Sequence, residues 1–249
     1  MDGVSLDIQQ GEVLALMGGS GSGKTTILRH IIGLERPHSG TVRILGVDIN
    51  RCSPKELMAI RRKMGVAFQE CALFDSLSVE DNVALPMHEL TDLSEPVIEI
   101  MTYMKLAAVG LGEAGRQLPA QLSGGMKKRA AVARATALDP EILVFDEPSA
   151  GLDPIVAAGL DDLISLLKRA FHMTVLVVTH ELASAFRVAD RMAMLYQGSL
   201  IAVGTKETIL ASTHPRIRQF LDRVPDPMAQ SEAVQNRFRE LAGMAGGTQ

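Results

Sequence analysis

The sequence has no tryptophan and only two tyrosines, Tyr103 and Tyr196, and aromatic residues make up 4% of its 249 positions. Its two cysteines, Cys52 and Cys71, lack metal-ligand spacing, and so few thiols in so long a chain point to a reducing compartment. No uninterrupted apolar run reaches the roughly 18 residues that a bilayer-spanning helix needs. Residues 1–17 carry Asp2, Asp7 and Glu12 and no basic segment, so they do not read as a secretory signal. Positive charge is not in excess either. The 25 Lys and Arg against 29 Asp and Glu leave a net charge of −4 and no general footprint for nucleic acid. There is no internal repeat and no low-complexity block. These absences predict a soluble cytoplasmic protein whose link to any membrane runs through a partner.

What is present is ample core-forming material, 47% hydrophobic against 22% charged residues, which excludes disorder as the main state. Val13–Met17 is a short apolar run ending in a glycine-rich loop, the pattern of a buried parallel strand. Helical spacing follows over Thr26–Gly33, then alternation over Thr41–Ile44 with Gly46 as the turn, then a short apolar strand at Gly65–Phe68. Between Leu73 and Leu138 strand patterns fade and helical ones dominate, punctuated by Pro86, Pro96, Gly110, Gly112 and Pro119. Strands return at Ile142–Phe145, Thr174–Val178 and Met192–Leu195, with helical stretches at Val156–Ala170 and Leu182–Val188. Strands alternating with helices predict a mostly parallel sheet covered on both faces, with a helical lobe inserted mid-chain. The tail from Thr213 is polar, with a short amphipathic helix expected over Ala233–Ala242.

Gly18-Gly19-Ser20-Gly21-Ser22-Gly23-Lys24-Thr25 fits G-x-x-x-x-G-K-[ST] at every fixed position, between an expected strand and an expected helix. The glycines let the backbone wrap so that successive N–H groups and the helix N-terminus face phosphate oxygens. Lys24 would reach the β- and γ-phosphates, Thr25 would ligate magnesium, and Thr26 completes the nucleotide contacts. A second strand, Ile142–Phe145, delivers Asp146 and Glu147 to its C-terminal end, where ligands bind in open α/β sheets. Asp146 would hold magnesium and Glu147 would act as general base on the attacking water. An isolated Asp-Glu after a strand is ordinarily a helix cap; beside a phosphate loop it defines a magnesium-dependent nucleotide hydrolase or kinase.

Leu122-Ser123-Gly124-Gly125-Met126-Lys127-Lys128-Arg129 narrows that class. It resembles the LSGGQ signature of ATP-binding-cassette (ABC) ATPases, with Met126 where Gln is usual, and physically it is a Ser N-cap and two glycines opening a helix through Ala137. The resemblance implies a phosphate-loop α/β fold with an inserted helical subdomain, and a head-to-tail dimer in which Ser123, Gly124 and Gly125 close over the partner's ATP. It also makes Gln69 the Q-loop glutamine that senses magnesium and attacking water, Ser149–Asp153 the interface loop with Asp153 near nucleotide, and His180 the switch histidine on the γ-phosphate. Residues 1–74 and 141–212 would form the nucleotide-binding core, 75–140 the helical subdomain and 213–249 a tail.

Phe68–Pro86, the LSGGM-K-K-R form, Gly151–Ile155 and Pro215–Leu221 resemble the ATPases of Mla- and Mce-type lipid transporters. That resemblance implies ATP and Mg as cofactors and a second copy, integral-membrane permeases, a small regulatory subunit and a periplasmic Mce-type lipid-binding protein as partners, on the cytoplasmic side of the inner membrane. Residues 70–86 would line the groove for a permease helix. ATPases of other ABC importers or exporters, of amino acids for example, are the neighbouring alternative. A non-transport ABC protein would need a coiled-coil insert or tandem cassettes, which the chain lacks. Residues 1–17 hold no aromatic residue where ABC ATPases stack one on adenine, so a shortened N-terminal β subdomain and weaker ATP binding are expected.

Overall fold

The structure is a computed structural model and describes residues 1–225. The chain divides into two units at Ala211/Ser212. The first is built on a six-stranded sheet. Its elements are β1 (Val13–Gly18), α1 (Lys24–Ile31), β2 (Arg43–Ile44), β3 (Val47–Asp48), α2 (Pro54–Arg61), β4 (Met64–Ala67), α3 (Val79–Leu90), α4 (Glu95–Ala108) and α5 (Gly124–Ala135). There follow β5 (Ile142–Asp146), α6 (Pro154–Phe171), β6 (Thr174–Thr179), α7 (Leu182–Val188), β7 (Arg191–Tyr196), β8 (Ser199–Gly204) and α8 (Lys206–Leu210). Of the second unit, α9 (Pro215–Leu221) is described, opened by Pro215 behind a His214 cap; the helix expected over Ala233–Ala242 lies outside the described residues.

The sheet runs β4-β5-β6-β1-β7-β8, parallel except for the antiparallel edge β8. The side-chain period of two sorts each strand between two apolar layers. Leu143, Phe145, Val175 and Val177 join Ala130 and Val132 of α5 and Leu160, Ile164 and Leu167 of α6 on one face. Val144, Leu176, Val178, Leu14 and Leu16 join Ile27 and Leu28 of α1 on the other. All six residues of β1 are buried, which is why it reads as a continuous apolar run rather than an alternating one. Full burial of each such Val, Leu or Ile contributes about 1.5–3 kcal/mol, enough in sum to hold the loops at the sheet's end in place.

Several local expectations need correction. The strand expected over Thr41–Ile44 is confined to Arg43–Ile44, which pairs with Val47–Asp48 in a separate two-stranded sheet. Leu45 (φ 50°) and Gly46 (φ 82°) are both left-handed, the geometry of a tight hairpin turn, so the pairing begins only beside the turn. The first helix begins at Lys24, not Thr26, because Gly23 at φ 106° already serves as its N-cap. The signature helix ends at Ala135, two residues short of Ala137. Pro86 does not end a helix: α3 runs through it to Leu90, held by buried Val83, Ala84 and Met87. β8 carried no recognised signal; it returns on β7 through a second left-handed pair, Gln197 (φ 46°) and Gly198 (φ 81°). Ser53 and Glu56 form a capping box that opens α2, a signature readable in the sequence but not read there. Residues before Val13 form no strand.

Candidate functional site

The parallel strands place their following loops at one end of the sheet. The phosphate loop leaves β1 at the centre, Asp146 and Glu147 leave β5, His180 leaves β6 and Gln69 follows β4. Gly18 sits at φ 153°, and a Cβ there would lie 2.4 Å from the Leu195 carbonyl oxygen and 2.6 Å from Ser22 Oγ, so only glycine fits. Ser22 is buried and its Oγ has no hydrogen-bond partner among the described residues. Gly19, Ser20, Gly21 and Thr25 are exposed, and Thr26 is half-buried on the first turn of α1. Met1 packs its sulfur against Gly23, and the Asp2 amide donates to the Gly198 carbonyl at 2.9 Å.

Lys24 Nζ donates to the Gly18 carbonyl at 2.8 Å and the Gly19 carbonyl at 3.2 Å, and stands 4.0 Å from Glu147 Oε1. Burial pushes its ammonium below the ordinary lysine range, opposed by Glu147 and Asp146. Glu147 is itself buried and left-handed at φ 47°. Its amide donates to the Val178 carbonyl at 2.8 Å. Its Oε2 accepts from Thr179 Oγ1 at 3.2 Å and the His180 amide at 3.3 Å, and lies 2.9 Å from His180 Nδ1. The phosphate-loop lysine, the carboxylate after β5 and the histidine after β6 thus form one connected group.

Asp146 is half-buried and its carboxyl makes no hydrogen bond to another described residue. Burial, reinforced by Glu147, holds it above the usual carboxylate range, with Lys24 and Lys128 opposing. Among the described residues no cluster of three or more His, Cys, Asp or Glu could hold a metal. Mg²⁺ needs no such cluster, because it takes one or two protein oxygens and completes its octahedron with phosphate and water. The Thr25 hydroxyl and the uncommitted Asp146 carboxylate are such oxygens. Gln69 is exposed, and its backbone carbonyl is taken by Lys128.

The signature residues are arranged differently. Ser123 caps α5, accepting from the Met126 amide at 3.3 Å. A Cβ on Gly125 would lie 2.5 Å from Val156 Cγ1, so this glycine seats α5 against the start of α6, while one on Gly124 would make ordinary contact with Leu152 at 3.7 Å. Asp153 caps α6, its Oδ1 accepting from the Ile155 and Val156 amides at 3.0 and 3.1 Å. Among the described residues no hydrogen bond or ion pair joins Ser123–Gly125 or Asp153 to the phosphate loop. The structure brings the signature to the Asp153 loop and leaves both outside the Lys24–Glu147–His180 group.

Three residues around the site were not singled out from sequence. Lys128, buried on α5, donates to the Gln69 carbonyl at 2.6 Å and the Glu147 carbonyl at 3.2 Å. Arg134, farther along α5, donates to the Cys71 and Ala72 carbonyls at 2.8 and 2.7 Å. Asn82, fully buried on α3, bonds the Phe74 amide and the Phe74, Leu77 and Ser78 carbonyls. Lys128 lies within the Leu122–Arg129 signature, and it is buried on the same helix as Ala130–Ala133.

A parallel sheet with a glycine-rich phosphate loop at its centre and a carboxylate pair two strands away defines a phosphate-loop nucleotide-binding protein. The chain belongs to the ABC transporter family, whose model matches residues 1–150. It is 45% identical over 230 residues, 92% of this chain, to the probable ribonucleotide transport ATP-binding protein mkl of Mycobacterium leprae (strain TN), and covers 66% of that protein. It is 42% identical over 241 residues to the intermembrane phospholipid transport system ATP-binding protein MlaF of Haemophilus influenzae, covering 96% of this chain and 91% of that one. The chain spans about two thirds of the length of its mycobacterial relatives, 64–66%. Among solved structures, the dimeric post-hydrolysis state of the ATP-binding cassette MJ0796 bound to ADP and Pi superposes with a TM-score of 0.74 at 33% identity, over 80% of this chain and 88% of that one.

Proposed function

We propose that this chain binds and hydrolyses ATP as the motor subunit of a transporter that moves phospholipid or a related lipid in the bacterial envelope. The observation that carries the hydrolytic reading is the Glu147 carboxylate, held between Lys24 and His180 by a left-handed backbone. Lys24 exchanges the Gly18 and Gly19 carbonyls for phosphate oxygens, and the amides of residues 19–25 cradle the same groups. Thr25, Asp146 and Gln69 would hold Mg²⁺, which would supply positive charge against the β- and γ-phosphates. Glu147 accepts a hydrogen bond from the attacking water and takes its proton, while His180, tied to Glu147, faces the γ-phosphate.

The lipid assignment is supported by 42% identity to MlaF over nearly the whole of both chains. Transport of another substrate is the second reading, supported by 45% identity to a protein named for ribonucleotide transport. Residues 1–74 and 141–212 serve as the nucleotide-binding core, 75–140 as the helical subdomain and 213–249 as a tail. Two copies sandwich ATP, with Ser123, Gly124, Gly125 and Asp153 facing the partner's nucleotide, in line with the dimer of MJ0796. On the membrane side, the exposed Val97, Ile100, Tyr103 and Met104 share one face of α4, and Phe74 is exposed beside the Gln69 loop. Such an apolar face suits a permease subunit at the cytoplasmic surface of the inner membrane. No described helix is long and apolar enough to cross a membrane. A small regulatory subunit and a Mce-type lipid-binding protein complete the proposed complex.

Glu147→Gln tests the chemistry. Turnover falls by about 10²–10⁴-fold while ATP binding persists and a stable ATP-bound dimer accumulates on size-exclusion chromatography. Near-normal turnover in that variant would remove Glu147 from the base role. Mass spectrometry of molecules retained by the purified complex decides between lipid and nucleotide cargo.

A further inference from the structure

A buried ammonium is costly unless it is paired or hydrogen-bonded, so what it bonds to shows what it holds. Lys128 is 8% exposed, and no carboxylate lies within ion-pair distance among the described residues. Its two hydrogen-bond partners are main-chain carbonyls, those of Gln69 and Glu147, which lie 78 positions apart in sequence and leave different strands. Neutral carbonyls do not neutralise a charge, but they can be held in place by one.

The Glu147 carbonyl is where holding matters. A glutamate at φ 47° occupies a backbone region that L-residues adopt only when their surroundings impose it. The amide side of the residue is fixed by the Val178 carbonyl, and the carbonyl side receives Lys128 Nζ together with the Ala150 amide at 3.2 Å. Rotating that backbone toward an ordinary conformation would swing the carboxylate away from Lys24 and His180. The same helix repeats the device one loop away. Cys71 (φ 61°) and Ala72 (φ 49°) are also left-handed, and Arg134 of α5 takes both their carbonyls. The helix that Ser123 opens thus grips the carbonyls of Gln69, Cys71, Ala72 and Glu147 through two cations.

We infer that Lys128 is a positioning residue for catalysis: its ammonium fixes the Glu147 and Gln69 backbones together, so that the carboxylate and the glutamine loop keep one geometry set by the signature helix. The role rests on the proposed ATP hydrolysis and acts through Glu147, with no contact to nucleotide. Lys128→Met keeps the stem and removes the donors. It should lower kcat by about 10- to 100-fold, the scale of a misplaced reacting group, with the ATP dissociation constant and KM unchanged. Lys128→Arg, which keeps charge and donors, should recover most of that loss. Added to Glu147→Gln, Lys128→Met should cause no further fall in residual turnover, because its target is already gone.

Wild-type kcat in Lys128→Met overturns the inference. So does a loss confined to KM, or an equal fold-loss in the Glu147→Gln background, since a general packing defect would act in both. Should Lys128→Met fail to fold, Lys128→Gln keeps an N–H donor but lacks the reach to span both carbonyls; reduced kcat at unchanged ATP affinity supports the inference and unchanged kcat refutes it. A wild-type protein that does not hydrolyse ATP refutes the proposed function itself, a separate result from an indifferent Lys128.

Discussion

Two helices in this molecule begin with glycines and no acidic residue in the first turn, yet the two starts are built for different work. At α1 the N-cap is Gly23 at φ 106°, which offers no side chain to the first-turn amides, and a lysine stands beside them. At α5 the N-cap is Ser123, whose hydroxyl already accepts from Met126, and Gly125 is spent on close contact with Val156. Unsatisfied amides at a helix start need an acceptor. The α1 start therefore has no side-chain acceptor within the described residues, while at the α5 start Ser123 satisfies the Met126 amide and leaves those of Gly124 and Gly125 open. On the proposed function, the phosphate site of one chain would be completed by the signature of another copy as its second wall.

The sharpest way to break that contrast is to remove the α1 cation. Lys24→Ala deletes charge-assisted hydrogen bonds worth about 1.5–3 kcal/mol each, so ATP affinity of the isolated chain should fall about 10- to 100-fold by titration calorimetry and turnover should vanish. Unchanged affinity would mean that the phosphates bind elsewhere. Ser123→Ala should behave in the opposite way. It removes a cap worth about 1 kcal/mol and so lowers the melting temperature by about 2–4 °C, with ATP affinity of the isolated chain intact. A large affinity loss there would show that the two starts are not distinct.

The same contrast explains what could be read from sequence. The phosphate loop was legible because every residue of it is contiguous and its strand, β1, is buried along its whole length, a pattern that local reading detects. The carboxylates of β5 and the histidine after β6 were legible as strand-end residues, and their meeting at 2.9 Å follows from strand adjacency in a parallel sheet. Ser123 was legible as a cap. Lys128, Arg134 and Asn82 were not, because their roles depend on bonds to carbonyls 19 and 59, 62 and 63, and 4 to 8 residues away, which carry no side-chain identity to match. The shortened β2 and the hidden β8 share another cause. Leu45 and Gln197 take left-handed conformations that Asn or Asp would have announced and that these residues do not. Pro86 inside α3 shows tertiary packing outweighing a local breaker.

The finest test of the α1 end lies in the Asp146 carboxylate, which makes no hydrogen bond to another described residue. Burial and the neighbouring Glu147 keep the Asp146 carboxyl above its ordinary range, so the folded state binds its proton more tightly than the unfolded chain does. Such a group favours the fold only when protonated. Its contribution is fully present below the ordinary aspartate value of about 3.9 and is lost as pH rises through the higher folded value. At neutral pH, without nucleotide or Mg²⁺, the ionised carboxylate is therefore a small destabilising element. Asp146→Asn removes that charge at nearly constant shape, so its melting temperature at pH 7 should exceed that of the wild type, while the difference should shrink toward zero as the pH is lowered to about 4. Mg²⁺ with ATP should reverse the order, because the wild-type carboxylate then gains the counter-charge that the asparagine cannot use. If Asp146→Asn melts below the wild type at neutral pH, the carboxylate is being held by the protein itself, and the α1 end is as self-sufficient as the α5 end.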